Sequence, residues 1–159
     1  MRNVSLTASP IHLLLPVLEV TGEIRAKDWL GVALIGGYGT IPVETTYNSD
    51  TVNAYELGGQ LSLYPLEPFE SLLFGFEVLW VKVDTDDYDN SSISASAAGV
   101  MMGPMVGYKY IADGGFTLFV QGGAEYITAR AEASNDAGNA TAEESDIIPL
   151  LNFNLGWSF

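Results

Sequence analysis

Apolar and polar residues alternate along most of this chain with a period of two. The final segment is the clearest: Ile147, Pro149, Leu151, Phe153, Leu155, Trp157 and Phe159 share one face, while Asn152, Asn154, Gly156 and Ser158 share the other. Side chains of a strand point alternately to opposite faces, so this pattern predicts a strand with one apolar and one polar side. The same alternation fills residues 16–26, 29–39, 53–65, 71–83, 94–111 and 116–128. A run at the N-terminus sets Val4, Leu6 and Ala8 against Ser5, Thr7 and Ser9. The reading is eight strands in one all-β domain covering residues 1–159.

The connections alternate in length. Those at 27–28, 66–70 and 112–115 are short; those at 40–52, 84–93 and 129–146 are long. Short turns at one end and long loops at the other fit an up-and-down antiparallel barrel. The first connection, 11–15, is apolar rather than loop-like, so the first two strands either form a hairpin or merge into one bent strand at Pro10 or Pro16. Residues 129–146 are rich in Ala, Glu, Asn, Asp and Gly and read as a mobile surface loop.

Alternation alone does not say which face points outward, since a soluble lipocalin-like barrel alternates too, with its apolar face inward. Residue size decides. Eight strands enclose an interior just wide enough for side chains to fill it. Phe74, Phe76, Trp80, Tyr108, Tyr126, Phe153, Trp157 and Phe159 would overfill that space. The polar face carries mostly Gly, Ala, Ser, Asn, Gln and Glu, which fit a narrow lumen. The bulky face is therefore predicted to point outward, into lipid, making a transmembrane β-barrel. Two aromatic girdles are expected at the membrane interfaces: Trp29, Tyr64, Phe69, Tyr110, Trp157 and Phe159 near the short turns, and Tyr38, Tyr55, Trp80 and Tyr126 near the long loops.

Composition sharpens this picture. Mean hydropathy is +0.20, yet the formal net charge is −14, from twenty Asp and Glu against six Lys and Arg. Lipid on the flanks and water at the ends accommodate both properties. So acidic a chain lacks the basic footprint of nucleic-acid binding. There is no cysteine, which excludes disulfides and thiolate metal sites. No apolar stretch reaches the roughly 20 residues of a membrane-spanning helix, and residues 1–7 lack the apolar core of a signal peptide. The chain is read as a mature form with an added or retained Met1.

The segment 147–159 resembles the assembly signal of bacterial outer-membrane proteins, on Phe153, Leu155, Trp157 and the final Phe159. The whole chain resembles, in architecture, the small eight-stranded barrels of the OmpA and OmpX type. The resemblance implies residence in a bacterial outer membrane, recognition by the barrel-assembly machinery, and contact with outer-membrane lipid and lipopolysaccharide. The expected form is a monomer, with an unidentified surface ligand as a further possibility.

The polar face carries Glu19, Glu23, Arg25, Glu56, Gln60, Glu77, Lys109, Gln121 and Glu125. Charges buried in a barrel must pair or be hydrated. They form either an interior network that fills the lumen or the lining of a narrow ion path; the narrowness of eight strands favours the network. Residues 84–90 form a carboxylate cluster suited to Ca²⁺ or Mg²⁺, but the glycine and terminal glutamate of an EF-hand are missing, and a solvated acidic loop is the simpler reading. Two glycosylation sequons, at Asn90 and Asn139, read as incidental in a bacterial setting. His12, the single histidine, lies near a predicted outer end with Ser9 close by. A Ser–His pair is the minimum for acyl transfer, although no motif of lipid-modifying enzymes surrounds it. The favoured function is a non-enzymatic structural or surface-interaction barrel with acidic outer loops and no cofactor.

Overall fold

The structure is a computed structural model that describes residues 2–10, 17–44, 49–85, 94–135 and 138–159. Side chains are described for these except 41–44, 49–51, 85, 94–95, 132–135 and 138–140. Eight strands follow one another as β1 (Val4–Ser9), β2 (Val17–Lys27), β3 (Leu30–Glu44), β4 (Ser49–Leu63), β5 (Ser71–Thr85), β6 (Ser94–Ile111), β7 (Phe116–Asn135) and β8 (Gly138–Ser158). Each pairs antiparallel with the next, and β1 pairs with β8 to close the barrel. A closed sheet leaves no unpaired edge.

β1 and β2 pair through Ala8↔Val20 and Ser9↔Glu19, so they are two strands and not one bent strand. Residues 11–16, His12 among them, lie outside the described residues. The closing seam is short: Ser5↔Ser158, Leu6↔Trp157, Thr7↔Gly156 and Ala8↔Leu155. A Cβ on Gly156 would lie 1.9 Å from the Leu6 carbonyl oxygen, so the backbones approach there only because position 156 is glycine.

The faces follow the alternation. Along β5, Phe74, Phe76, Val78 and Trp80 are exposed, while Leu73, Glu77 and Leu79 are buried. Along β8, Leu151, Leu155 and Trp157 are exposed, while Asn152, Asn154 and Ser158 are buried. Among the described residues, the buried side chains include seventeen polar or charged ones against eleven apolar ones, an inversion of the usual soluble core.

The long connections differ from expectation. The β3–β4 ladder runs on from Thr40↔Asn53 to Glu44↔Ser49. The β7–β8 ladder runs from Ala129↔Glu144 to Asn135↔Gly138, so most of the segment expected to be a mobile loop is an extended two-stranded ribbon. Ladder hydrogen bonds belong to the backbone and need no apolar face. Once β7 and β8 are in register in the barrel wall, each further pair adds bonds without a new loop to close. A ribbon bathed by water on both sides shows no apolar period, so composition alone reads it as loop. Residues 86–93, which hold most of the expected acidic cluster and the sequon at Asn90, lie outside the described residues; at the second sequon the Asn139 side chain does so too.

Candidate functional site in the barrel interior

The interior has two zones. At the short-turn end an apolar cluster of Tyr64, Phe69, Leu73, Ile111 and Phe119 fills the lumen. Phe69 comes from the turn between β4 and β5, not from a strand. Its backbone takes a left-handed conformation, with φ of 65° at Phe69 and 79° at Ser71. Bulky residues avoid that region; here burial of the ring, which is 1% exposed, holds it there.

Lys109, on β6, crosses this cluster. Its Nζ lies 3.4 Å from the centroid of the Phe69 ring and 5.8 Å from that of Tyr64. It donates to Glu23 Oε2 at 2.6 Å, and the Tyr64 hydroxyl donates to Glu23 Oε1 at 2.8 Å. A buried ion pair survives when hydrogen bonds and aromatic faces replace lost water. Gly31 on β3 makes the space: a Cβ there would come within 2.1 Å of Glu23 Oε1 and 3.1 Å of the Tyr64 ring. Burial, then the Glu23 charge, raises the Tyr64 phenol above the ordinary tyrosine range. Glu70 closes the turn, its Oε1 accepting from the Ile111 amide at 3.0 Å.

Above this plug the wall is polar. Ser9 Oγ donates to Asn152 Oδ1 at 2.9 Å, and Asn152 Nδ2 donates to Glu19 Oε1 at 3.1 Å. Gln60 Nε2 donates to Ser62 Oγ at 2.8 Å. Glu77 is hydrogen-bonded to Gln121 and lies within electrostatic range of Glu125, Glu19 and Glu56. Glu77 Oε2, Gln121 Oε1, Glu125 Oε1 and Asn154 Oδ1 have no hydrogen-bond partner among the described residues. Buried acceptors of this kind take ordered water.

The polar residues singled out from the sequence therefore fall into two groups. Glu23 and Lys109 belong to the plug, whereas Glu19, Gln60, Glu77, Gln121 and Glu125 are buried in the polar zone, and Glu56 and Arg25 are half-buried. Ser9 is fully buried and bonded to Asn152, facing the lumen rather than the outer surface.

Trp29, Tyr38, Tyr55, Trp80, Tyr110 and Tyr126 are exposed on the outer wall, as are Leu155, Trp157 and Phe159; Phe153 is half-buried. Two aromatics assigned to the girdle stand corrected. Tyr64 and Phe69 are 3% and 1% exposed and point into the barrel mouth. The signal for Tyr64 was present: Gln60 and Ser62 face inward, and Tyr64 continues their parity. Phe69 had no such signal, because parity lapses at the end of a strand.

These features define a closed, eight-stranded, antiparallel β-barrel with a plugged, polar interior. Among solved structures it is similar to CarO of Acinetobacter baumannii, at 11% identity and a TM-score of 0.50, over 99% of this chain and 98% of that one. At that identity the likeness is one of fold. No protein-family model and no curated protein sequence matches the chain.

Proposed function

We propose that the chain is an integral outer-membrane barrel of the small kind that OmpA and OmpX represent, serving a structural or surface-interaction role without enzymatic chemistry. One observation carries this reading. The outer wall exposes a continuous apolar belt, up to 73% exposure at Leu34, while carboxylates and amides are buried inside. In water each large apolar side chain left exposed forgoes about 1.5–3 kcal/mol of burial. In hydrocarbon the same belt is solvated. Strands of eleven or more residues in β2 to β8 meet or exceed the roughly 9–11 needed to cross a bilayer. The closed eight-stranded fold shared with CarO agrees with a barrel of this kind.

The plug supports a closed barrel over the narrow ion path. Phe69, Lys109 and Tyr64 fill the short-turn mouth, where an ion would have to leave. Outer-membrane lipid surrounds the wall, and the outward row Phe153, Leu155, Trp157 and Phe159 serves as the strand that the assembly machinery reads.

Extraction tests the placement. The chain should require detergent for solubility and run at different gel positions before and after boiling. Monodisperse behaviour in plain buffer would refute it. In planar bilayers the parent should carry no steady current.

A further inference from the structure

The polar zone of the lumen brings two carboxylates together over a glycine. Glu77 on β5 pairs with Gly103 on β6. The β6–β7 register, through Met102↔Tyr126 and Met105↔Gly123, sets Gly103 opposite Glu125. A Cβ at position 103 would lie 2.0 Å from the Ala124 carbonyl oxygen and 2.8 Å from Glu125 Cα, so only glycine lets β7 come this close. Two strand spacings separate the Cα atoms of Glu77 and Glu125 by about 10 Å, and no side chain of β6 stands between them. The two carboxyl groups come within hydrogen-bonding reach of each other across the gap.

Both residues are buried, at 1% and 3% exposure. Among the described residues neither has a Lys or Arg partner. Lys109 is committed to Glu23 in the plug. Gln60, the neighbour of Glu77 on β4, donates its amide to Ser62 instead. Gln121 on β7, itself 2% exposed, bonds to Glu77 through its amide, and the carbonyl oxygen of that amide has no hydrogen-bond partner among the described residues. Glu77 Oε2 and Glu125 Oε1 are in the same condition. Buried charges are paired or coordinate metals. One proton shared by the carboxyl pair would serve the contact between them and leave these three oxygens bare, whereas a cation takes several oxygens at once.

We propose that Glu77, Glu125 and the Gln121 carbonyl oxygen hold a divalent cation in the lumen, with water completing its shell. No group of three or more acidic or histidine ligands stands assembled among the described residues. Glu19 and Glu56 lie within electrostatic range of Glu77 and strengthen the negative field without being ligands. Ca²⁺ suits this donor set, since it accepts carboxylate and amide oxygens in an adaptable geometry; Mg²⁺ demands a near-ideal octahedron and gives up its waters reluctantly. The ion reaches the pair from the ribbon end, because Phe69, Tyr64 and Lys109 fill the other mouth. The seat depends on the lumen, not on what surrounds the wall.

Equilibrium dialysis against radioactive Ca²⁺ tests it, on the full chain folded in a non-ionic detergent, free of lipopolysaccharide and stripped with a chelator. The parent should take up about one Ca²⁺ per chain. E77Q/E125Q keeps the shape of the site and removes its charge, and should weaken uptake by about tenfold or more. Q121L keeps both carboxylates and should weaken it by about threefold or more. D86N/D87N/D89N, in the acidic segment between β5 and β6, should leave it unchanged. No uptake by the parent would leave a shared proton as the link between Glu77 and Glu125 and overturn the seat. Uptake that survives E77Q/E125Q, or that is lost in D86N/D87N/D89N, would overturn it too, since the ion would then sit outside the lumen. Gel mobility before and after boiling shows which variants are folded; if E77Q/E125Q is not, E125Q takes its place with the same expected loss.

Discussion

The two ends of the barrel are built on opposite terms. The short-turn end is packed shut: Phe69, Lys109, Glu23 and Tyr64 are buried and bonded to one another. The far end is drawn out into a ribbon on which Arg130 and Glu143 are more than half exposed. At the first end each group depends on its neighbours across the lumen; at the second the β7–β8 ladder joins each residue to its backbone partner. Stability is thus concentrated near the turns, and tolerance near the ribbon.

Four measurements test that contrast, in descending size of effect. K109A removes the cation and leaves the Glu23 carboxylate buried. Breaking a buried pair from one side costs about 3–5 kcal/mol, which urea unfolding in lipid vesicles should report. K109M/E23L should cost less than K109A, because it removes both charges together. Next, L34R places a charge on the outer wall at a residue 73% exposed, midway along β3 between Trp29 and Tyr38. In a bilayer this costs about 2–4 kcal/mol near the midplane. A131R, on the ribbon, should stay within about 0.5 kcal/mol, and equal costs for L34R and A131R would break the comparison.

A smaller effect is expected from G31A. Its methyl group would displace Glu23 Oε1 and weaken two hydrogen bonds to a charged group, each worth about 1.5–3 kcal/mol. Partial relaxation of the Glu23 side chain keeps the total at the low end of that range. The finest test is optical. Tyr64 should stay neutral in the folded protein above pH 10, the region where exposed phenols ionise. The sign is that of a raised acid: the Tyr64 contribution is whole below about pH 10, where the unfolded phenol titrates. It is lost as pH rises further and only the unfolded chain ionises. An ultraviolet difference titration between the parent and Y64F in which the Tyr64 phenol of the folded protein ionises at about pH 10 would refute the enclosed mouth.

The wall was legible in the sequence because strands write their two faces into alternate letters. Glu77 and Trp80 fall on opposite sides by parity alone, and the structure has them buried and exposed respectively. The plug was legible only in part. Glu23 and Lys109 were recognisably inward, but nothing in the spacing pairs β2 with β6, which are not neighbours in the sheet. Their meeting depends on side chains reaching across the lumen. Phe69 was illegible for another reason: a left-handed turn redirects its ring, and turn residues carry no period. The ribbon of β7 and β8 was missed because water on both sides removes the contrast on which the reading depends.

The seam between β1 and β8 has a temporal consequence. Among the described residues four ladder pairs hold it, with Phe159 bonded to Asn3 and Val4 beyond them, against twenty pairs between β7 and β8. β1 emerges first yet cannot gain its second neighbour until the opposite end of the barrel arrives, more than a hundred residues afterwards. Until then Val4–Ser9 presents a bare hem, ready to zip onto any passing strand of matching stitch. Something must shield or occupy that hem meanwhile, and Gly156 is the notch through which it is finally fastened.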